Sequence, residues 1–179
     1  MNRGAAHAAD GYARTTGKVG VVIATSGPGA TNLVTGIATA YLDSNPIVAI
    51  CGNVPTSQIG SDSFQEIDIT GVTLPITKHN YFVENVENLA DTIREAFVIA
   101  QSGRPGPVLI DVPKDVQTAK CEYEPKVPME KEETYAAKEI RIKEAADYTN
   151  SAERPIVYFG GGLITANAQE EMLMLADKI

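Results

Sequence analysis

The sequence predicts an α/β fold: a parallel sheet flanked by helices, followed by the start of a second α/β domain. Short apolar runs rich in β-branched residues, at 19–24, 47–51 and 108–112, read as strands buried on both faces, the pattern parallel sheets use. Between them lie segments of helical period, and strand-helix alternation implies right-handed crossovers with helices on both faces. The chain has 179 residues, 44% apolar and 21% charged, which gives room for one globular domain and part of another.

Residues 4–16 are alanine-rich and read as a helix with a narrow packing face of Ala5, Ala8, Ala9, Tyr12 and Ala13, capped by Gly17. The strand at 19–24 follows, then a sharp turn at Ser26, Gly27, Pro28 and Gly29. A helix over about 30–42 comes next and ends at Asn45-Pro46. Residues 52–71 have no strong period and read as a long ordered loop with a helical piece near 64–68. Loops of that length tend to be functional. A short strand at 81–83 precedes an amphipathic helix over 86–102, with Leu89, Ile93, Ala96, Phe97 and Ala100 on one face. Gly103 and Pro105 stop it. Residues 113–137 are charged and proline-broken and read as a surface linker. A helix over about 136–150, a strand over 155–159 and a helix from about 167 close the sequence.

The turn after the first strand has the clearest chemical meaning. Pro28 has its φ preset and lacks an N–H, so it suits a first helical turn, and Thr25 or Ser26 offers a capping oxygen. The product is a strand, a glycine-lined bend and a helix start, at the end of the sheet where open α/β folds bind ligands. It is not a dinucleotide fingerprint, because Asn32 stands where the third glycine belongs. It is not a phosphate loop either, because no Gly-Lys-Ser/Thr follows.

A net charge of −8 argues against nucleic-acid or membrane-surface partners. No apolar run approaches the ~18 residues of a membrane span, and residues 1–14 do not read as a secretory signal. Cys51 and Cys121 are expected to be reduced thiols, which suggests a cytoplasmic location.

Four segments, GAAHAADGYARTTGKVGVVIATSGPGATNLVTGIATAYLDSNPIVAICGNV, DSFQEIDITG, ITKHNYFV and SGRPGPVLIDVPKDVQ, together resemble the large, catalytic subunit of acetolactate synthase over nearly the whole chain. SGPGATN is shared by many thiamine diphosphate enzymes, whereas SFQE, TKHN and SGRPGP are more specific. The resemblance implies a pyrimidine-binding (N-terminal thiamine diphosphate) domain at 1–116 without its first strands, a linker at 117–137, and the beginning of a central domain at 138–179. It implies the condensation of two pyruvates, or of pyruvate with 2-ketobutyrate, with loss of CO2, in branched-chain amino acid biosynthesis. The implied cofactors are thiamine diphosphate, FAD and Mg2+, the Mg2+ ligands lying on a C-terminal domain outside this chain. A homodimer or tetramer, with a small regulatory subunit as a further partner, is implied for the full-length enzyme.

Position by position, the resemblance puts Pro28, Asn32 and Gln65 beside thiamine diphosphate and Arg104 against FAD. It puts Val54, Pro55 and Phe64 along the substrate channel. An amide at Gln65 can donate to a developing alkoxide, and the planar guanidinium of Arg104 suits a diphosphate. Lys78 and His79 match a family motif without an assigned role. The family's catalytic glutamate falls on Asn2, and an asparagine cannot exchange a proton at neutral pH. Because the resemblance also places the first strands of this domain and the C-terminal domain outside the chain, the chain alone is expected to be a catalytically incomplete fragment. Two alternatives stand beside this reading: another thiamine diphosphate enzyme of the pyruvate oxidase or 2-keto acid decarboxylase type, and a non-catalytic binding module.

Overall fold

The computed structural model describes residues 2–127 and 136–179; residues 128–135, part of the stretch read as a linker, lie outside them. The chain divides into two compact units, Met1–Glu132 and Glu133–Ile179.

The first unit is built on a four-stranded parallel sheet of order β1-β2-β4-β3: β1 Gly20–Ala24, β2 Ile47–Asn53, β3 His79–Phe82 and β4 Val108–Pro113. β4 sits between β2 and β3 and is buried along its whole length, as its unbroken apolar run requires. The side chains of β2 divide between two cores. Ala49 and Cys51 meet α1 (Asn2–Thr16) and α3 (Val34–Leu42), whereas Val48 faces α5 (Val86–Gln101) together with Ile110 and Val112. Ala96 and Ala100 of α5 are fully buried there, with Leu89, Ile93 and Phe97 packed around them. On the other face α1 and α3 approach closely: a Cβ on Gly36 would lie 2.4 Å from the Ala6 side chain. Asp10, buried in α1, accepts hydrogen bonds from Asn45 Nδ2 at 2.7 Å and Arg14 Nε at 3.0 Å, tying this helix to the turn before β2.

Several expectations are corrected. β1 is not buried on both faces, because it is an edge strand: Val21 is 46% and Ile23 71% exposed, while Val22 and Ala24 are buried. The packing face of α1 is Ala6, Ala9, Asp10 and Ala13; Ala5, Ala8 and Tyr12 instead line an open groove beside β1. The helix expected over 30–42 is divided into α2 (Pro28–Thr31) and α3. Asn32 causes this, since its Nδ2 donates to the Pro28 carbonyl at 2.7 Å and competes with the backbone for that acceptor. The α-helical piece of the long loop is α4, Ile69–Thr73, with Asp68 as its N-cap accepting from the Gly71 N–H, and not the segment near 64–68; Thr56–Gln58 forms a further 3-10 turn. Lys114–Thr118, read as the start of a linker, forms the helical turn α6 with Val116 buried.

The second unit holds three helices among its described residues, α7 Glu139–Ser151, α8 Gly161–Thr165 and α9 Gln169–Ala176. Residues 155–159 are not a strand: they have no pairing partner, and Ile156 and Tyr158 are more than nine-tenths exposed. Gly161 and Gly162 open α8 instead of following a strand. No helix among the described residues is long and apolar enough to cross a membrane.

Candidate functional site

β1, β2 and β4 all end on the same side of the sheet, and the bend after β1 turns there. Neither Thr25 nor Ser26 caps α2. Gly27 occupies the cap position at φ 57°, a backbone conformation natural to glycine and strained for other residues. A Cβ at Gly27 would lie 2.8 Å from both Cβ and the carbonyl oxygen of Gln65. The structure thus brings Gln65, 38 positions away, into contact with the bend that carries Pro28. Gln65 itself has φ 63°, a left-handed conformation uncommon outside glycine. Pro28, Asn32, Phe64 and Gln65 are all exposed, Phe64 at 88%.

The loop holding Gln65 is fastened by a residue that the sequence reading passed over. The Glu66 carboxylate accepts from the Gly60 N–H, from the Ser63 N–H at 2.9 Å and from the Ser63 hydroxyl at 3.0 Å. The Gly60 N–H, first among these donors, holds Glu66 below the usual carboxylate range. Val54 is buried and Pro55 half-buried just after β2. This segment is anchored by Asp115, which accepts from the Thr56 hydroxyl and N–H and is thereby held low. Asn2, at the start of α1, donates its amide to the Gly29 carbonyl at 3.2 Å. The position expected for a proton-exchanging acid therefore meets the bend as an amide.

Arg104 lies at the other end of the sheet. It precedes β4, whereas the Gly27–Gln65 contact lies beyond the C-terminal strand ends. Six residues of β4 at about 3.3 Å each put about 20 Å between these ends. Arg104 Nε donates to Ser44 Oγ at 2.7 Å and its Nη2 to the Leu42 carbonyl at 3.2 Å. Lys78 shares its pocket of about 520 Å³, which no carboxylate among the described residues lines. Lys78 is one half of the unassigned motif, and the structure gives it a role: its ammonium donates to the carbonyls of Ile99 and Ser102, closing the C-terminus of α5. Burial lowers its pKa. Among the described residues no three His, Cys, Asp or Glu side chains converge as metal ligands, so no Mg2+ site is formed by them.

The parallel sheet flanked by helices is consistent with the cofactor domain of thiamine-dependent enzymes, and residues 2–72 match the family model "Thiamine pyrophosphate enzyme, N-terminal TPP binding domain". Within that class its similarity is to acetolactate synthase large subunits. It is 54% identical over 181 residues to "Acetolactate synthase" of Arthrospira platensis, covering 98% of this chain and 31% of that protein. To "Acetolactate synthase isozyme 1 large subunit" of Escherichia coli it is 55% identical, over 93% of this chain and 30% of the relative. To the "Probable acetolactate synthase large subunit" of Methanocaldococcus jannaschii it is 52% identical, over 97% and 30%. The chain thus spans about 30% of the length of these curated relatives.

Proposed function

We propose that this chain supplies the wall facing the aminopyrimidine ring in the thiamine diphosphate site of an acetolactate synthase. The observation that carries this is the packing of Gln65 onto Gly27, beside exposed Pro28 and Asn32. When bound, thiamine diphosphate supplies the carbon nucleophile and the electron sink for loss of CO2 from a 2-keto acid. The chain's own residues orient and exclude water: Pro28 gives a rigid apolar surface, Asn32 keeps its side-chain oxygen free of the helix, and the Gln65 amide donates to oxygen on the reacting keto acid. Val54, Pro55 and Phe64 border the approach of that substrate, pyruvate or 2-ketobutyrate. Arg104, with Lys78, suits the diphosphate of FAD, since two cations line their pocket and no acid does. Mg2+ has no ligand set among the described residues. Residues 1–116 act as the pyrimidine domain, 117–137 as linker and 138–179 as the beginning of a central domain. The enzyme of which this is the wall is a cytoplasmic homodimer or tetramer, with a small regulatory subunit as a further partner.

Asn2 sets the limit on activity. It can hold a ring nitrogen by a hydrogen bond but cannot carry a proton to or from it. With pyruvate, thiamine diphosphate, Mg2+ and FAD the chain alone is expected to give no acetolactate in a colorimetric acetoin assay. The decisive test replaces the matching segment of the Escherichia coli isozyme 1 large subunit with residues 2–116 of this chain. That chimera is expected to turn over at least about a hundredfold faster with Asn2→Glu than with Asn2, the usual scale of general acid–base catalysis. Equal rates for two folded chimeras would refute the reading of position 2. No turnover in either would refute the wall.

A further inference from the structure

Beyond the C-terminal ends of β2 and β4, beneath the loop that carries Phe64 and Gln65, lies a cavity of about 380 Å³. Asn53, Glu66, Asp68, Thr70, Phe82 and Asp111 are among its lining residues, and among the described residues no Lys, Arg or His lines it. Its acids are unequally engaged. Both oxygens of Glu66 take donors from the loop. Asp68 Oδ1 accepts from Gly71 N–H and the Thr70 hydroxyl. Asp111, only 2% exposed, accepts from Asn53 Nδ2 at 2.6 Å on Oδ2, while its Oδ1 is buried with no partner. Asn53 cannot supply a second donor by turning over, because its own oxygen is held by the Val54 N–H at 2.8 Å. A buried charge without a partner is costly and calls for a counter-charge. Burial first, and the like charge of Asp68 after it, push the Asp111 carboxyl up to about 6 against the lowering effect of the Asn53 hydrogen bond.

The counter-charge has room to be a small ion. Among the described residues no three ligating side chains converge, which disfavours a chelated divalent metal. The volume accommodates an ion and several waters at ~30 Å³ each. We propose that this cavity binds one partly hydrated monovalent cation of potassium size through Asp111 Oδ1, with Asp68 adding its charge. The bound ion joins β4 to the loop of residues 59–70 and so steadies Gln65 against Gly27. The site stands on the geometry of this cavity and does not depend on which reaction the chain serves.

Amide hydrogen exchange of residues 59–68 in the full chain tests it, at equal ionic strength in 100 mM KCl or 100 mM N-methylglucamine chloride. For a Kd of about 10 mM, potassium is expected to slow exchange about tenfold. Asp111→Asn and Asp68→Asn should each reduce or abolish that difference; the second keeps a good N-cap for α4, so it reads the charge even where Asp111→Asn fails to fold. Equal exchange of the unaltered chain in both salts would overturn the proposal and favour a cationic side chain of another protein as occupant. Potassium protection that survives in both variants would overturn it too.

Discussion

At the N-terminal ends of β3 and β4 two cations, Lys78 and Arg104, are fastened to the carbonyls that close α5 and α3. At the C-terminal ends of β2 and β4, beside Lys114, three acids, Glu66, Asp68 and Asp115, accept from loop N–H groups. The contrast follows from topology. Crossover helices in a parallel sheet run back against the strands, so their carbonyl ends gather at one edge of the layer and their N–H ends at the other. Cations complement the first and anions the second. The ends differ in completeness as well. Both cations have acceptors, whereas Asp111, at the acidic end, keeps one buried oxygen unpartnered.

The largest loss of stability is expected at the acidic end. Gly27→Ala adds a methyl against the backbone of Gln65 at a left-handed φ. Strain of about 1–3 kcal/mol and overpacking of a similar size should together lower stability by about 4 kcal/mol in urea unfolding. Next comes Asp111. Its folded pKa of about 6 lies above the unfolded 3.8, so the stability it contributes is fully present below pH 3.8 and is lost as pH rises through 6. The whole difference is on the order of 3 kcal/mol. Urea melts in N-methylglucamine buffer should show the unaltered chain gaining on Asp111→Asn between pH 7 and pH 5. Glu66 and Asp115, both held low, change both proteins alike. At the basic end Lys78→Met removes a charged donor from two carbonyls and should cost about 2 kcal/mol. Exposed Arg104→Gln should cost about 0.5 kcal/mol or less, measured as a change in melting midpoint.

The strands were legible because an apolar run has little alternative use in a soluble chain, and 47–51 and 108–112 behave accordingly. The exposure of Val21 and Ile23 was not legible, since an edge strand and a central one can share the same composition. The helix break at Asn32 could have been read from its residue type, because an amide in a first turn competes for backbone acceptors. The loop conformation could not. Gln65 is left-handed because it packs against Gly27, a contact that no local rule encodes. The same holds for Lys78, whose acceptors lie more than twenty positions downstream. Motif likeness singled out Gln65, Pro28 and Asn32, whereas only the fold shows that Glu66 fastens the same loop and that Asp111 lies under it.

Cys51 sits in β2 beside Asp111, fully buried, with burial and then that acid raising its thiol to about 12; Cys121 is exposed. The two sulfurs are therefore chemically different species in one chain. An alkylating reagent added to the native protein should mark Cys121 promptly and leave Cys51 untouched until the sheet opens. Cys51 thereby becomes a built-in clock for the opening of the core, readable by mass without any engineered label.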